Sequence, residues 1–190
     1  ISGSEDVTFH NNRAQDVLTL LYTENSSNSI GTATCVLLEN SDPLAIDHLT
    51  CVHVGDASSP GYGVLLGDDQ LAQVSVRNSI FSEISRFGAK GLAGVAGMLA
   101  AYFSAFHACA EGVSEDATLL SCFEADPLFV LPDEGNLHLQ PGSPCIDSGN
   151  SSTDCNAEPV PNGCAVNLGA YGGTAEATSA PGAEHCSPCP

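Results

Sequence analysis

Short runs of apolar and β-branched residues alternate with polar positions along this chain, and each run is closed by Asn, Gly, Pro, Ser or Asp. Residues 6–12 alternate and end in Asn11-Asn12, residues 17–22 form a second run, and residues 34–40 repeat the pattern of a run followed by Asn. Residues 44–54, 62–66 and 73–81 are three further runs separated by turn-forming residues. A period of two puts alternate side chains on one face, so these runs predict short, half-buried strands.

Residues 87–110 depart from that pattern. They are rich in Ala and Gly, and Tyr102 and Phe106 stand at helical spacing. The main reading is a strand pair interrupted by a loop; the second is a short helix lying on the strands. The apolar stretch 91–106 falls short of the ~20 residues that a helix needs to cross a bilayer. It predicts buried structure and no membrane span.

If His53, Phe81, Phe106 and Phe123 occupy equivalent places, the strands recur at irregular steps, as in a solenoid of divergent coils. One coil cannot bury its own apolar side chains. Coils stacked at the ~4.8 Å strand spacing share a core and pair their backbone groups with the coils above and below. Asn12, Asn40 and Asn78 are candidate corners, where Asn amides can form a ladder along the stack; single Asn turns are the alternative at each.

The most distinctive stretch runs from Ala125-Asp126-Pro127-Leu128-Phe129 through Leu139-Gln140-Pro141-Gly142-Ser143-Pro144-Cys145-Ile146-Asp147-Ser148-Gly149 to Asn167-Leu168-Gly169-Ala170-Tyr171-Gly172-Gly173. It resembles the ending of secreted bacterial right-handed parallel β-helix (pectin-lyase-like) proteins, with their "DPLF…LxPGSPxIDxG…GAYGG" signature. The resemblance implies an all-β, right-handed parallel β-helix solenoid of roughly five coils, with a disulfide-stiffened C-terminal segment. Residues 1–130 would form the coils, 131–177 the closing segment and 178–190 a Cys-rich tail. Members of that family commonly carry Gly-Gly-Arg before the last strand, where this chain has Gly163-Cys164-Ala165. A disulfide between Cys155 and Cys164 would close covalently the loop that the arginine would otherwise bind.

Charge narrows the partners. With 23 acidic residues against 4 basic ones, and a net charge of −19, the surface repels nucleic acid and anionic membranes. Nine cysteines without zinc-finger spacing point to an oxidising compartment, extracellular or at the cell surface. Cys186 and Cys189 are close enough to pair or to tether the tail. Cys35 with Cys51, and Cys109 with Cys122, would bridge adjacent strands. Buried single thiols are the alternative for these four and for Cys145. The chain opens at Ile1 without Met, so it is expected to be processed or part of something longer.

Candidate chemistry is sparse. A β-helix lyase would need an Arg or Lys base and usually calcium, yet only Arg13, Arg77, Arg86 and Lys90 exist and no motif surrounds them. Gly67-Asp68-Asp69 resembles a fragment of the paired aspartates of polygalacturonase-type hydrolases, and its other reading is a polar turn. His10, His48, His53, His107, His138 and His185 lack zinc-site spacing. His48 and His53, an odd number apart, would face opposite sides of a strand. Calcium stays open: Asp42, Asp47, Asp56, Asp68, Asp69, Asp147 and Asp154 supply oxygens, but no loop motif assigns ligands. No other cofactor is indicated. Asn25-Ser26-Ser27 and Asn150-Ser151-Ser152 match a glycosylation acceptor pattern.

These features imply a non-catalytic extracellular or cell-surface structural protein, a stalk module or a fibre subunit self-associating through its chain ends. The alternative is a carbohydrate-active enzyme or sugar-binding module with a glycan as partner. Such sites favour aromatic platforms, and this chain has no Trp.

Overall fold

The computed structural model describes residues 8–10, 17–22, 33–39, 43–55, 61–66, 73–85, 87–90, 98–115, 117–180 and 182. Among these, the regular elements are strands apart from one 3-10 turn at Pro132–Glu134. In chain order the strands are β1 (Thr8–His10), β2 (Val17–Tyr22), β3 (Ala33–Glu39), β4 (Leu44–Val54), β5 (Gly61–Leu66), β6 (Val74–Arg77) and β7 (Ile80–Ile84). There follow β8 (Phe87–Lys90), β9 (Leu99–Tyr102), β10 (Ala105–His107), β11 (Ala117–Leu120), β12 (Phe123–Glu124), β13 (Phe129–Leu131) and β14 (Asn136–Leu139). The atypical stretch 87–110 therefore contributes strands β8 to β10, with Tyr102 and Phe106 on two of them.

Two sheets hold β1 to β12, and every pairing in them is parallel. One runs β1-β3-β5-β8. The other is a curled sheet whose successive rungs are β2, β4, β6 with β7, β9 with β10, and β11 with β12. A disulfide from Cys35 on β3 to Cys51 on β4, with Cα atoms 6.2 Å apart, joins the two sheets. The curled parallel sheet is compatible with a β-helix.

Four rungs of the curled sheet, from β4 onward, each bend at a left-handed residue in the same column. His48 interrupts β4 at φ 53°, Asn78 separates β6 from β7 at φ 47°, Phe103 separates β9 from β10 at φ 47°, and Ser121 separates β11 from β12 at φ 57°. Registers on both sides place these four one above another. A second such column holds His53, Glu83 and Ala108 at φ 56°, 55° and 48°. A left-handed non-glycine residue costs about 1–2 kcal/mol, so the stacking around it must supply the compensation.

Part of that compensation is a ladder just inside the first column. The Leu49 amide donates to Ser79 Oγ at 3.1 Å, and the Ser79 amide donates to Ser104 Oγ at 3.2 Å. Both hydroxyls donate onward to carbonyls at the bends, Ser79 to Arg77 at 2.6 Å and Ser104 to Tyr102 at 2.9 Å. These bonds span 30 residues from the β4 rung to the β6–β7 rung and 25 from there to the β9–β10 rung, so the step between rungs shortens.

Phe81 and Phe106 are register partners whose rings stack with centroids 5.2 Å apart, as their equivalence in sequence predicts. His53 and Phe123 do not join that column: His53 stands beside Glu83 and Phe123 beside Ala105. The left-handed bend breaks the period of two, so aromatic positions cannot be counted across it.

The core lies inside the curl, where Leu49, Cys51, Val54, Phe81, Ile84, Leu99 and Phe106 are buried together. Burying side chains of this size contributes roughly 1.5–3 kcal/mol each. The opposite face of the same strands is covered too. Val52, Ile80 and Ala105 pack against Phe129, Leu137, Leu139, Cys145 and Leu168. The covering segment begins with an antiparallel hairpin of β13 and β14 and continues without further strands to residue 180. Burial on both faces explains why β4 reads as an almost continuous apolar run after its bend.

Candidate functional site

The seam where this C-terminal segment meets the bend of β4 gathers a cluster of buried polar groups, His48, Thr50, Asn78, Glu158 and Asn167. Asn78 is fully buried, and its left-handed backbone points its amide across the seam. Nδ2 donates to Asp47 Oδ1 at 2.8 Å, while Oδ1 accepts the Asn150 amide at 2.8 Å. The Asn78 carbonyl accepts the Gly169 amide at 2.8 Å, and Thr50 Oγ1 accepts the Ala170 amide at 2.9 Å. The Gly-Ala step of the C-terminal signature is thus bonded directly to the curled sheet.

Gly169 has to be glycine for two reasons. Its φ is +84°, and a Cβ would stand 2.7 Å from Thr50 Oγ1 and 2.8 Å from Ile80 Cδ1. Gly172 is equally confined, with the His48 ring 2.7 Å from where its Cβ would be.

His48 completes the corner. Its Nδ1 lies 3.1 Å from Asp47 Oδ1. Burial pushes the Asp47 carboxyl up, but His48, the Asn78 amide and the Arg77 charge more than offset this and hold it below its ordinary 3.8. His48 Nε2 is buried with no hydrogen-bond partner among the described residues. A carboxylate that orients an imidazole is a familiar catalytic pairing, yet a general base must reach the proton it abstracts. Here the imidazole lies against the Gly172-Gly173 turn, where the pair holds the corner. A cavity of about 330 Å³ opens beside it, bounded by Asp47, His48, Thr153, Asp154 and Thr174.

Beneath the Gly172-Gly173 turn sits Glu158, buried, with Oε1 accepting the amides of Asn167 at 2.8 Å and Gly173 at 2.7 Å. Burial pushes its carboxyl up; the two amides offset part of this and nearby Asp147 adds to it. Asp147, itself raised by burial, packs its carboxylate against Gly163. Asn167 bonds in three directions: its Oδ1 accepts the Asp147 amide at 2.9 Å and its Nδ2 donates to the Thr178 carbonyl at 2.8 Å. Neither Glu158 nor Asn167 stands out in the sequence. Only the latter's place just before Gly-Ala-Tyr-Gly-Gly hints at a role.

Set against known proteins, the chain matches no family model, no curated protein and no solved structure.

The other predicted positions scatter. Cys35 and Cys51 are bonded to each other, and Cys155 and Cys164 are each in a disulfide. Cys109 and Cys122 are not joined to each other. The rung above places Ser104 over Cys122, and the Cys122 thiol points to the Ala101 carbonyl at 3.3 Å, whereas the Cys109 thiol points to the Phe81 carbonyl at 3.7 Å. Burial pushes the Cys145 thiol to about 12, which keeps it protonated and unreactive. Cys186, Cys189, Arg13, Arg86, His185, Asn12, Asn25, Asn40, Asp42, Asp56 and Gly67-Asp68-Asp69 lie outside the described residues.

His53 pairs with Glu83 at 3.1 Å and stands apart from His48. His138 stacks on Tyr171 with centroids 3.8 Å apart. Among the described residues, no three His, Cys, Asp or Glu side chains converge on a metal position, and no helix is long and apolar enough to cross a membrane. At the far end of the curled sheet, Phe106, Val113, Leu119, Cys122 and Phe123 line an open groove of about 430 Å³.

Proposed function

We propose that this protein is a non-catalytic structural module of an extracellular or cell-surface assembly. It is built as a right-handed parallel β-helix and associates with further copies of itself through its open end. The observation that carries the reading is the last rung. Among the described residues, β11 pairs with β9 alone and β12 with β10 alone, and Leu119 and Leu120 are 43 % and 53 % exposed on that rung. An uncovered parallel rung is a template for another strand. A second copy offers strands of the same pitch and the same bends.

The site geometry supports a structural role as well. The polar groups at the seam are spent on holding the C-terminal segment, and the His48 imidazole lies against the Gly172-Gly173 turn of that segment. Disulfides support an oxidising compartment, and the signature shared with secreted bacterial β-helix proteins supports the solenoid. Light scattering over a concentration series, with electron microscopy of the same samples, tests the proposal. Concentration-dependent oligomers or filaments are expected; a monomer at every concentration refutes self-association.

A further inference from the structure

The cavity beside the bend of β4 is walled by polar groups and glycine. Asp47, His48, Thr153, Asp154, Gly173 and Thr174 line its volume of about 330 Å³, which is near the small end for ligand pockets. His48 is 7 % exposed, and its Nε2 is a buried side-chain nitrogen with no hydrogen-bond partner among the described residues. A buried polar atom in that state is costly and calls for a bound group to pair with it.

The neighbours of the ring fix which way Nε2 faces. A Cβ on Gly172 would stand 2.7 Å from the ring at Cδ2, whereas one on Gly173 would lie 3.8 Å from Nε2 and 4.0 Å from the Asp154 carbonyl oxygen. The imidazole is therefore packed along its Cδ2 edge, while Nε2 and that carbonyl look toward the same space in front of Gly173. Since Gly173 has no side chain, the space belongs to the cavity.

Hydrogen bonding sets the chemistry of this wall. Asp47 Oδ1 accepts the Asn78 amide at 2.8 Å and lies 3.1 Å from His48 Nδ1, so Nδ1 carries the proton and Nε2 offers a lone pair. Thr174 spends its hydroxyl hydrogen on the Tyr171 carbonyl at 2.7 Å. The carboxylates of Asp47 and Asp154 add acceptors, and Arg77, the register partner of Asp47, offsets only one of the two charges. A lone pair set in an acidic, acceptor-rich pocket matches a ligand that carries N–H donors and a positive charge. We propose that this cavity binds a primary ammonium group, that of a small alkylamine or of a lysine side chain presented by a partner, with one N–H on His48 Nε2 and the others toward Asp154. The net charge of −19 draws such cations to the surface. The site does not depend on self-association.

The test is an NMR titration of the full chain at about pH 8, where alkylamines stay protonated, followed through the His48 ring nitrogens and the Gly172 and Gly173 amides. n-Butylamine should move these signals saturably, with Nε2 shifting as a lone pair that gains a hydrogen bond. Tetramethylammonium carries the charge without N–H, and glycerol carries donors without the charge; both should leave Nε2 in place. Nα-acetyl-lysine amide separates the two sources. Binding as tight as that of n-butylamine supports a side chain presented by a partner, and weaker binding supports a free amine. Asp154 is exposed, so Asp154→Asn should fold as the wild type does and bind n-butylamine several-fold more weakly. The site is overturned by the absence of a saturable shift, by an Nε2 that already carries the proton, or by unchanged affinity in Asp154→Asn. An equal response to tetramethylammonium, glycerol or calcium chloride overturns it as well.

Discussion

Asn78 and Asn150 meet across the seam, the backbone amide of Asn150 donating to the Asn78 side-chain oxygen at 2.8 Å. The two residues are 72 positions apart in the chain, so one buried amide fixes where the closing segment sits on the curled sheet. Its other end holds Asp47. Replacing Asn78 by Ala leaves the Asn150 amide and an Asp47 oxygen short of a partner, and puts a residue with less tolerance for φ > 0 at the bend. The expected loss is about 2–4 kcal/mol in urea denaturation. Asn78→Gly relieves the backbone alone and should recover only part of it. If Gly restores full stability, the bend conformation matters and the amide does not.

The second prediction separates crowding from backbone strain. Gly169 and Gly182 both have positive φ, +84° and +89°, but among the described residues a Cβ at Gly182 would meet nothing within 4 Å. Gly182→Ala should therefore cost about 1 kcal/mol, the price of the left-handed conformation. Gly169→Ala must also displace Thr50 Oγ1 and Ile80 Cδ1, and the loss should reach about 2–4 kcal/mol. Equal losses in the two variants would mean that the Gly169 turn is not seated on Thr50.

Asp47 gives the seam an acid limit. Its folded value is held below 3.8, so its contribution is present above that value and is lost as pH falls through the lower, folded one. Wild-type stability should decline steeply below about pH 4, and Asp47→Asn, less stable at neutral pH, should decline less over the same range. Parallel declines would assign acid unfolding to other carboxylates.

Much of this architecture is written in residue pattern. The runs at 44–54 and 73–81 become β4, β6 and β7, Phe81 and Phe106 do share a column, and Asn78 does mark a corner. Asn is among the few residue types that tolerate a left-handed backbone, so its position is legible. Phe103, Ser121 and Glu83 adopt the same conformation without that chemistry. Their bends are imposed by stacking on the neighbouring rung, which no local window of sequence contains. For the same reason the odd spacing of His48 and His53 says little about their faces, since each sits at a bend of its own. Glu158 was hidden differently: a glutamate in a polar loop looks solvent-exposed until the Gly-Gly turn folds over it.

The open rung carries the last prediction. Leu119 and Leu120 are exposed on β11 beside a groove lined by Phe106, Val113 and Phe123. Natural edge strands suppress pairing with charge, lysine above all. Leu120→Lys faces solvent in the monomer, so it should change stability by no more than about 0.5 kcal/mol while shifting any oligomer toward monomer. A lysine added to so acidic a chain also reduces repulsion between copies, so weaker association cannot be ascribed to net charge. Leu120→Glu raises that repulsion and supplies the comparison. If both variants associate as the wild type does, the interface lies elsewhere. If only the glutamate weakens association, long-range charge governs it and the rung is not the contact.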